Sequence, residues 1–130
     1  MATVFTLYTI DPQTLTSPDP QNRRVYAFLG SKRAACEAIR AEVTKRGYGQ
    51  IPALFLSDGD SELAALAGEC FPEARACVDW IHVVERLWSA TYVFHPEGSS
   101  EAAEWVKARK AWLMAGSVGT VIRSYIPQPQ

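Results

Sequence analysis

Long hydrophobic runs are missing from this chain. No stretch approaches the about 20 apolar residues that a membrane-spanning helix needs. An excess of positive charge is missing too, since 13 Lys and Arg stand against 14 Asp and Glu for a formal net charge of −1. Proteins that grip nucleic acid through many phosphates carry surplus cations, so strong autonomous DNA binding is not expected. Cysteine is scarce: Cys36, Cys70 and Cys77 are odd in number and form no C-x-x-C pair. That excludes a disulfide framework and a zinc knuckle, and the three read as reduced, mostly buried thiols. The N-terminus has neither a basic n-region nor a signal-type cleavage site, so a cytoplasmic location is expected. Internal repeats are absent, and the only biased tracts are a polar loop near the N-terminus and the Pro-Gln tail.

What is present suits one ordinary domain. The chain has 130 residues, 48% of them hydrophobic and 21% charged, enough to bury a real core. Thr3 to Ile10 is β-branched and aromatic with fair alternation, which predicts a strand. Asp11 to Asn22, with Pro12, Pro18 and Pro20, predicts a loop, and Arg23 to Leu29 a second strand. Ser31 is a candidate N-cap for a helix over Lys32 to Arg46. Ala35, Cys36, Ile39 and Val43 form its apolar stripe, and Gly47 and Gly49 close it. Pro52 to Leu56 shows no alternation and is apolar on both faces, the pattern of a buried parallel strand. A helix is expected over Ser61 to Cys70 and a short strand over Arg75 to Val78.

From Trp80 the period changes to 3.6. Ile81, Val84, Leu87, Trp88 and Thr91 share one face, and His95-Pro96-Glu97-Gly98 breaks the run. Ser99 or Ser100 caps the next helix, with Ala102, Trp105, Val106, Ala108, Trp112 and Leu113 as core candidates. Gly116 ends it, and a last short helix is expected in Val118 to Tyr125. A turn of about four to six residues would make the two longer helices an antiparallel pair.

Two apolar runs end on an acid and lead into a helix, at Asp58 and at Asp79. As parallel strands of one sheet they would bring both carboxylates to the same edge, where ligand sites of open α/β sheets lie. Asp58 precedes Gly59, which permits a tight turn. It reads equally as a metal-facing carboxylate or as the cap of the following helix, for which Asp60 and Ser61 compete. Asp79 and His82, three apart at a helix start, share one face, and Asp79 also has the position of an N-cap. Alone, His82 reads more readily as a satisfied histidine than as a ligand or base. Glu85 lies one turn further and extends this group, Glu101 and Glu104 read as first-turn charges, and His95 reads as solvated. Arg23, Arg24, Lys32, Arg33, Arg40, Lys45 and Arg46 gather in the first half. They read as a solvated helix face or as a modest phosphate-facing group. Trp80, Trp88, Trp105 and Trp112 follow helical spacing and read as helix-packing residues.

Taken together, several segments resemble the central part of bacterial insertion-sequence transposases. They are Leu56-Ser57-Asp58-Gly59, Cys70-Phe71-Pro72-Glu73-Ala74 and the run from Val78 to Trp88 that contains Asp79-Trp80-Ile81-His82. The likeness continues in Asn22-Arg23-Arg24-Val25-Tyr26-Ala27, His95-Pro96-Glu97-Gly98-Ser99 and Glu104-Trp105-Val106, and so covers nearly the whole chain. These are DDE enzymes of RNase H-like fold, in the group with a helical insertion. The resemblance implies an α/β fold with a mixed sheet of about four strands, flanking helices and a C-terminal helical hairpin. On that reading residues 1–79 are a partial RNase H-like core and 80–130 the insertion-like hairpin, packed as one domain.

The chemistry implied is DNA cleavage and strand transfer in transposition and DNA recombination. Three acids hold two magnesium or manganese ions that activate the attacking oxygen and stabilise the leaving one. Position by position, Asp58 matches the second acid and is the metal ligand, while Asp79 and His82 match the Asp-x-x-His signature. The first acid belongs to an earlier strand and the third to a position beyond Gln130, and Asp60 stands where a small residue is the pattern. The expectation is a truncated transposase fragment, inactive alone, with DNA as partner only in the intact family. No membrane partner is expected, and a homodimer would form through an exposed edge strand or the helical hairpin. Two other readings stand beside it: a non-catalytic interaction protein or domesticated remnant, and a small metal-dependent hydrolase using Asp58, Asp79 and His82.

Overall fold

The structure is a computed structural model that describes residues 2–11, 13 and 19–125. Of the expected loop over 11–22, Pro12 and Pro18 lie outside the described residues, as does the Pro-Gln tail. Among the described residues the chain is mixed α/β, with five helices and four strands in two two-stranded sheets. It divides into two compact units, Met1–Cys77 and Val78–Gln130.

In the first unit, β1 (Ala2–Thr9) and β2 (Gln21–Leu29) pair antiparallel, with Phe5 opposite Tyr26 and Thr3 opposite Phe28. The register slips between Leu7 and Thr9, where the end of β1 meets the start of β2. α1 (Lys32–Lys45) follows, with Ser31 Oγ accepting from the Ala34 amide at 3.2 Å as the expected cap. Gly47, at φ +89°, takes the left-handed position just past the helix, and the Tyr48 amide reaches back to the Val43 carbonyl at 3.1 Å. β3 (Ala53–Ser57), α2 (Ser61–Cys70) and β4 (Ala74–Val78) then form a strand–helix–strand connection, with β3 and β4 neighbours in the second sheet.

One cluster holds this unit together. Cys36 and Ile39 of α1 and Leu66, Cys70 and Phe71 of α2 and its exit are buried against Phe5, Leu7, Tyr26, Phe28 and Phe55 of the strands. Phe55 meets Phe5 edge-on and Phe71 at a tilt, with centroids 6.4 and 5.5 Å apart. Cys36 and Cys70 are buried free thiols and Cys77 is half-buried.

The expectation that Pro52 to Leu56 is covered on both faces is not met. Phe55 faces the core, whereas Leu54 is 70% and Leu56 57% exposed. Among the described residues of this unit, α1 and α2 pack against one face of β1, β2 and β3, which leaves Leu54 and Leu56 on the open face. Val4, Val25 and Leu29 share that fate on β1 and β2. An apolar run shows that a strand can be sandwiched; the second layer must come from elsewhere in the chain or from a partner.

The second unit consists of α3 (Trp80–Thr91), α4 (Ser100–Met114) and α5 (Val118–Arg123). Leu87, Val106 and Val121, one from each helix, are buried with Trp88, Trp105, Trp112, Leu113 and Tyr125 packed around them. Ser99 caps α4 through its hydroxyl, and residues 92–99 join α3 to α4, a connection longer than the sequence suggested. Ile81, expected on the packing face, is 65% exposed: the buried line of α3 runs through Leu87 and Thr91 in its C-terminal half, and Ile81 lies in the first turn outside it.

The one-sided core predicts an asymmetric response to mutation. Ile39→Ala should destabilise the chain by about 2–5 kcal/mol in urea denaturation. Leu54→Asn, at a side chain already mostly open to water, should stay within about 0.5 kcal/mol of the parent. Equal losses for the two would contradict this arrangement.

Candidate functional site

The start of α2 carries the residues of most chemical interest. β3 ends at Ser57, and Asp58-Gly59 turns the chain with Gly59 at φ +90°. Few other residues adopt that conformation without strain. Asp58 Oδ1 accepts from the Asp60 amide at 3.1 Å, an Asx turn that sets the loop. The N-cap of α2 is Asp60: its Oδ1 accepts from the Leu63 amide at 2.9 Å. Asp58 is thus released from capping and lies exposed at the turn.

Asp60 is itself held from the other side. Lys32 Nζ donates to Asp60 Oδ2 at 2.7 Å and reaches Glu62 Oε2 at 2.9 Å. The Lys32 hydrogen bond, then that from the Leu63 amide, keep the Asp60 carboxyl below its ordinary value, while the Asp60 and Glu62 carboxylates raise Lys32. Arg33 and Glu69 add a more exposed pair at 2.7 Å between α1 and α2.

In the second unit Asp79 is the N-cap of α3, its Oδ1 accepting from the Ile81 amide at 3.0 Å. Its Oδ2 stands 3.6 Å from His82 Nδ1, so the two side chains share a face as their spacing requires. That separation is too long for a hydrogen bond, and Nδ1 is shut off from solvent with no hydrogen-bond partner among the described residues. Glu85 is exposed, Glu101 lies in the first turn of α4, and His95 is half-buried rather than fully solvated.

The basic residues divide into separate groups. Lys32 and Arg33 fasten α1 to α2, Arg40 is exposed, and Arg23, Arg24, Lys45 and Arg46 line a common basin. Trp88, Trp105 and Trp112 pack around the core of the helical unit, with Arg109 stacked over Trp105 at 3.9 Å and near Trp112 at 5.0 Å, whereas Trp80, also expected to pack helices, is 38% exposed at the first residue of α3. Sequence reasoning missed Arg109 in this stack and Tyr48, whose hydroxyl accepts from the Glu73 amide at 3.1 Å. Lys32 was visible only as one cation among many, since its partner lies 28 residues away.

Among the described residues, no three His, Cys, Asp or Glu side chains converge as a metal-binding group. Asp58 offers one exposed carboxylate, which suits a hard cation as a single ligand and falls short of the donor set that two ions need. No helix among them is long and apolar enough to cross a membrane. Comparison with family models, curated proteins and solved structures finds no match for this chain.

The Lys32–Asp60 contact predicts a pH signature. A carboxyl held below its ordinary 3.8 stabilises the fold fully above that value and loses its contribution as pH falls through the depressed folded pKa. Lys32, raised above 10.5, contributes fully below that value and loses its share as pH rises through the higher folded pKa. Asp60→Asn keeps a capping side chain and removes the charge. Its melting temperature should lie below the parent's at neutral pH, and the gap should close below about pH 4. A gap unchanged down to acid pH would show that the ion pair does not stabilise the fold.

Proposed function

We propose that this chain is transposase-like, a segment of a DDE-type DNA strand-transfer enzyme in which Asp58 supplies one metal-binding carboxylate. The observation that carries the reading is the division of labour at the start of α2. Asp60 caps the helix and binds Lys32, which leaves Asp58 exposed at the end of β3 with a second carboxylate oxygen free of hydrogen bonds among the described residues. The resemblance matches the same residue to the second acid of the catalytic set and supports an RNase H-like sheet of about four strands as the finer architecture.

Asp79 and His82 take a supporting part in this reading. Capping of α3 occupies one oxygen of Asp79 and the other faces the imidazole, an arrangement suited to holding the Asp-x-x-His turn in shape. Magnesium or manganese, bound to a full acid set, would polarise the scissile phosphate and activate the attacking oxygen. Asp58 by itself does not complete that set, so the reading assigns metal binding to this chain and no strand-transfer step to it alone. DNA is the substrate of the complete enzyme, and a homodimer through a strand edge or the helical hairpin belongs to the same proposal.

Thermal unfolding with magnesium or manganese tests it. At roughly ten times the dissociation constant, bound metal should raise the melting temperature by about 5 °C. Asp58→Asn should abolish the rise, and Asp79→Asn, which preserves a cap, should keep it. A melting temperature indifferent to both metals would overturn the catalytic readings and favour a non-catalytic interaction protein.

A further inference from the structure

The open basin beside the β1–β2 sheet has a volume of about 510 Å³ and is lined by Arg23, Arg24, Lys45, Arg46, Glu42 and Asn22 among others. Four cations face one carboxylate there, in a chain whose net charge is −1. That single carboxylate is already committed. Glu42 Oε1 accepts from Lys45 Nζ at 2.6 Å and Oε2 accepts from the Tyr26 hydroxyl at 3.3 Å. Hydrogen bonding to Lys45 first, then the Lys45 charge, the Tyr26 hydroxyl and the nearby Arg24 charge, hold Glu42 below the ordinary carboxylate range, and one carboxylate against four cations leaves the basin with a surplus of positive charge. Arg46 donates from one guanidinium nitrogen to the Asn22 carbonyl at 3.0 Å, which pins its fork at the rim. Asn22 presents that carbonyl from a left-handed backbone, φ +53°, at the start of β2. Among the described residues neither Arg23 nor Arg24 forms a salt bridge.

Guanidinium groups without a carboxylate partner focus positive potential in a concave site, and their planar forks match phosphate oxygens two at a time. We propose that this basin is an anion site for a ligand carrying adjacent phosphate groups. The same chemistry is offered by a free polyphosphate and by the backbone of a nucleic-acid strand. The basin is compact, so the site takes a few neighbouring phosphates rather than a long basic track. This does not rest on the metal-facing role of Asp58.

Binding of tripolyphosphate and of a short single-stranded oligonucleotide to the full chain, each over a range of salt, tests the proposal. The parent should bind, with affinity falling as salt rises. Replacing Arg23→Ser and Arg24→Ser together should weaken binding by about tenfold or more and lower the salt slope by about one for each phosphate no longer neutralised. Lys45→Gln, on α1 rather than the strand, should weaken binding in the same direction, and Arg40→Ser outside the basin should leave it unchanged. Binding of tripolyphosphate alone assigns a free polyphosphate, and tighter binding of the oligonucleotide assigns a strand backbone. Absence of binding by the parent to either ligand, or equal affinity in the arginine double variant and in Lys45→Gln to that of the parent, would overturn the assignment.

Discussion

Asp60 does two jobs with its two oxygens, and the local arrangement depends on both. Oδ1 satisfies an amide in the first turn of α2, a donor that would otherwise have no partner, while Oδ2 takes the ammonium of Lys32 at the first residue of α1. One carboxylate therefore fastens the N-termini of two helices that share a core. Lys32 keeps only 14% of its side chain open, so its stem is packed while its head stays bonded to Asp60 and Glu62. The effect on chemistry is indirect. With capping and charge pairing both assigned to Asp60, the neighbouring Asp58 is needed only for the Asx turn and keeps a carboxylate oxygen for another partner.

The core of the first unit obeys a second constraint, which is that its helices lie on one side of its strands. Ile39, Cys36, Leu66 and Phe71 interlock with the alternate residues Phe5, Tyr26, Phe28 and Phe55. The residues between them, Val4, Val25, Leu29, Leu54 and Leu56, remain open. The second unit solves its packing by a different route, with one buried aliphatic residue from each of three helices and a collar of aromatics. Arg109 joins that collar by stacking on Trp105 and Trp112 and donating to Ser124 Oγ, so a cation sits in the aromatic shell without a carboxylate partner among the described residues.

Local features were legible in the sequence because their causes are local. Ser31 and Ser99 cap the helices they precede, the stripe Ala35, Cys36 and Ile39 is buried, and α2 runs over the expected Ser61–Cys70. Features that depend on distant partners were not legible. Leu54 and Leu56 look like sandwiched residues until the position of the helices is known. Asp58 and Asp60 both suit a cap, and only backbone geometry, with Gly59 at positive φ between them, decides for Asp60. Lys32 and Arg23 belong to one basic cluster by composition; tertiary contacts send the first to a carboxylate pair and the second to an open basin. For Asp79 and His82 the spacing set the shared face, and the separation of 3.6 Å came only from the structure.

If Asp58, freed by Asp60, is a metal-facing carboxylate, amide NMR spectra recorded with a trace of manganese show it most directly, because the ion's unpaired electrons broaden signals near the point of binding. Broadening is predicted first at Asp58 and Gly59, lost in Asp58→Asn and retained in Asp60→Asn. Broadening centred elsewhere, or surviving Asp58→Asn, would contradict a metal-facing Asp58.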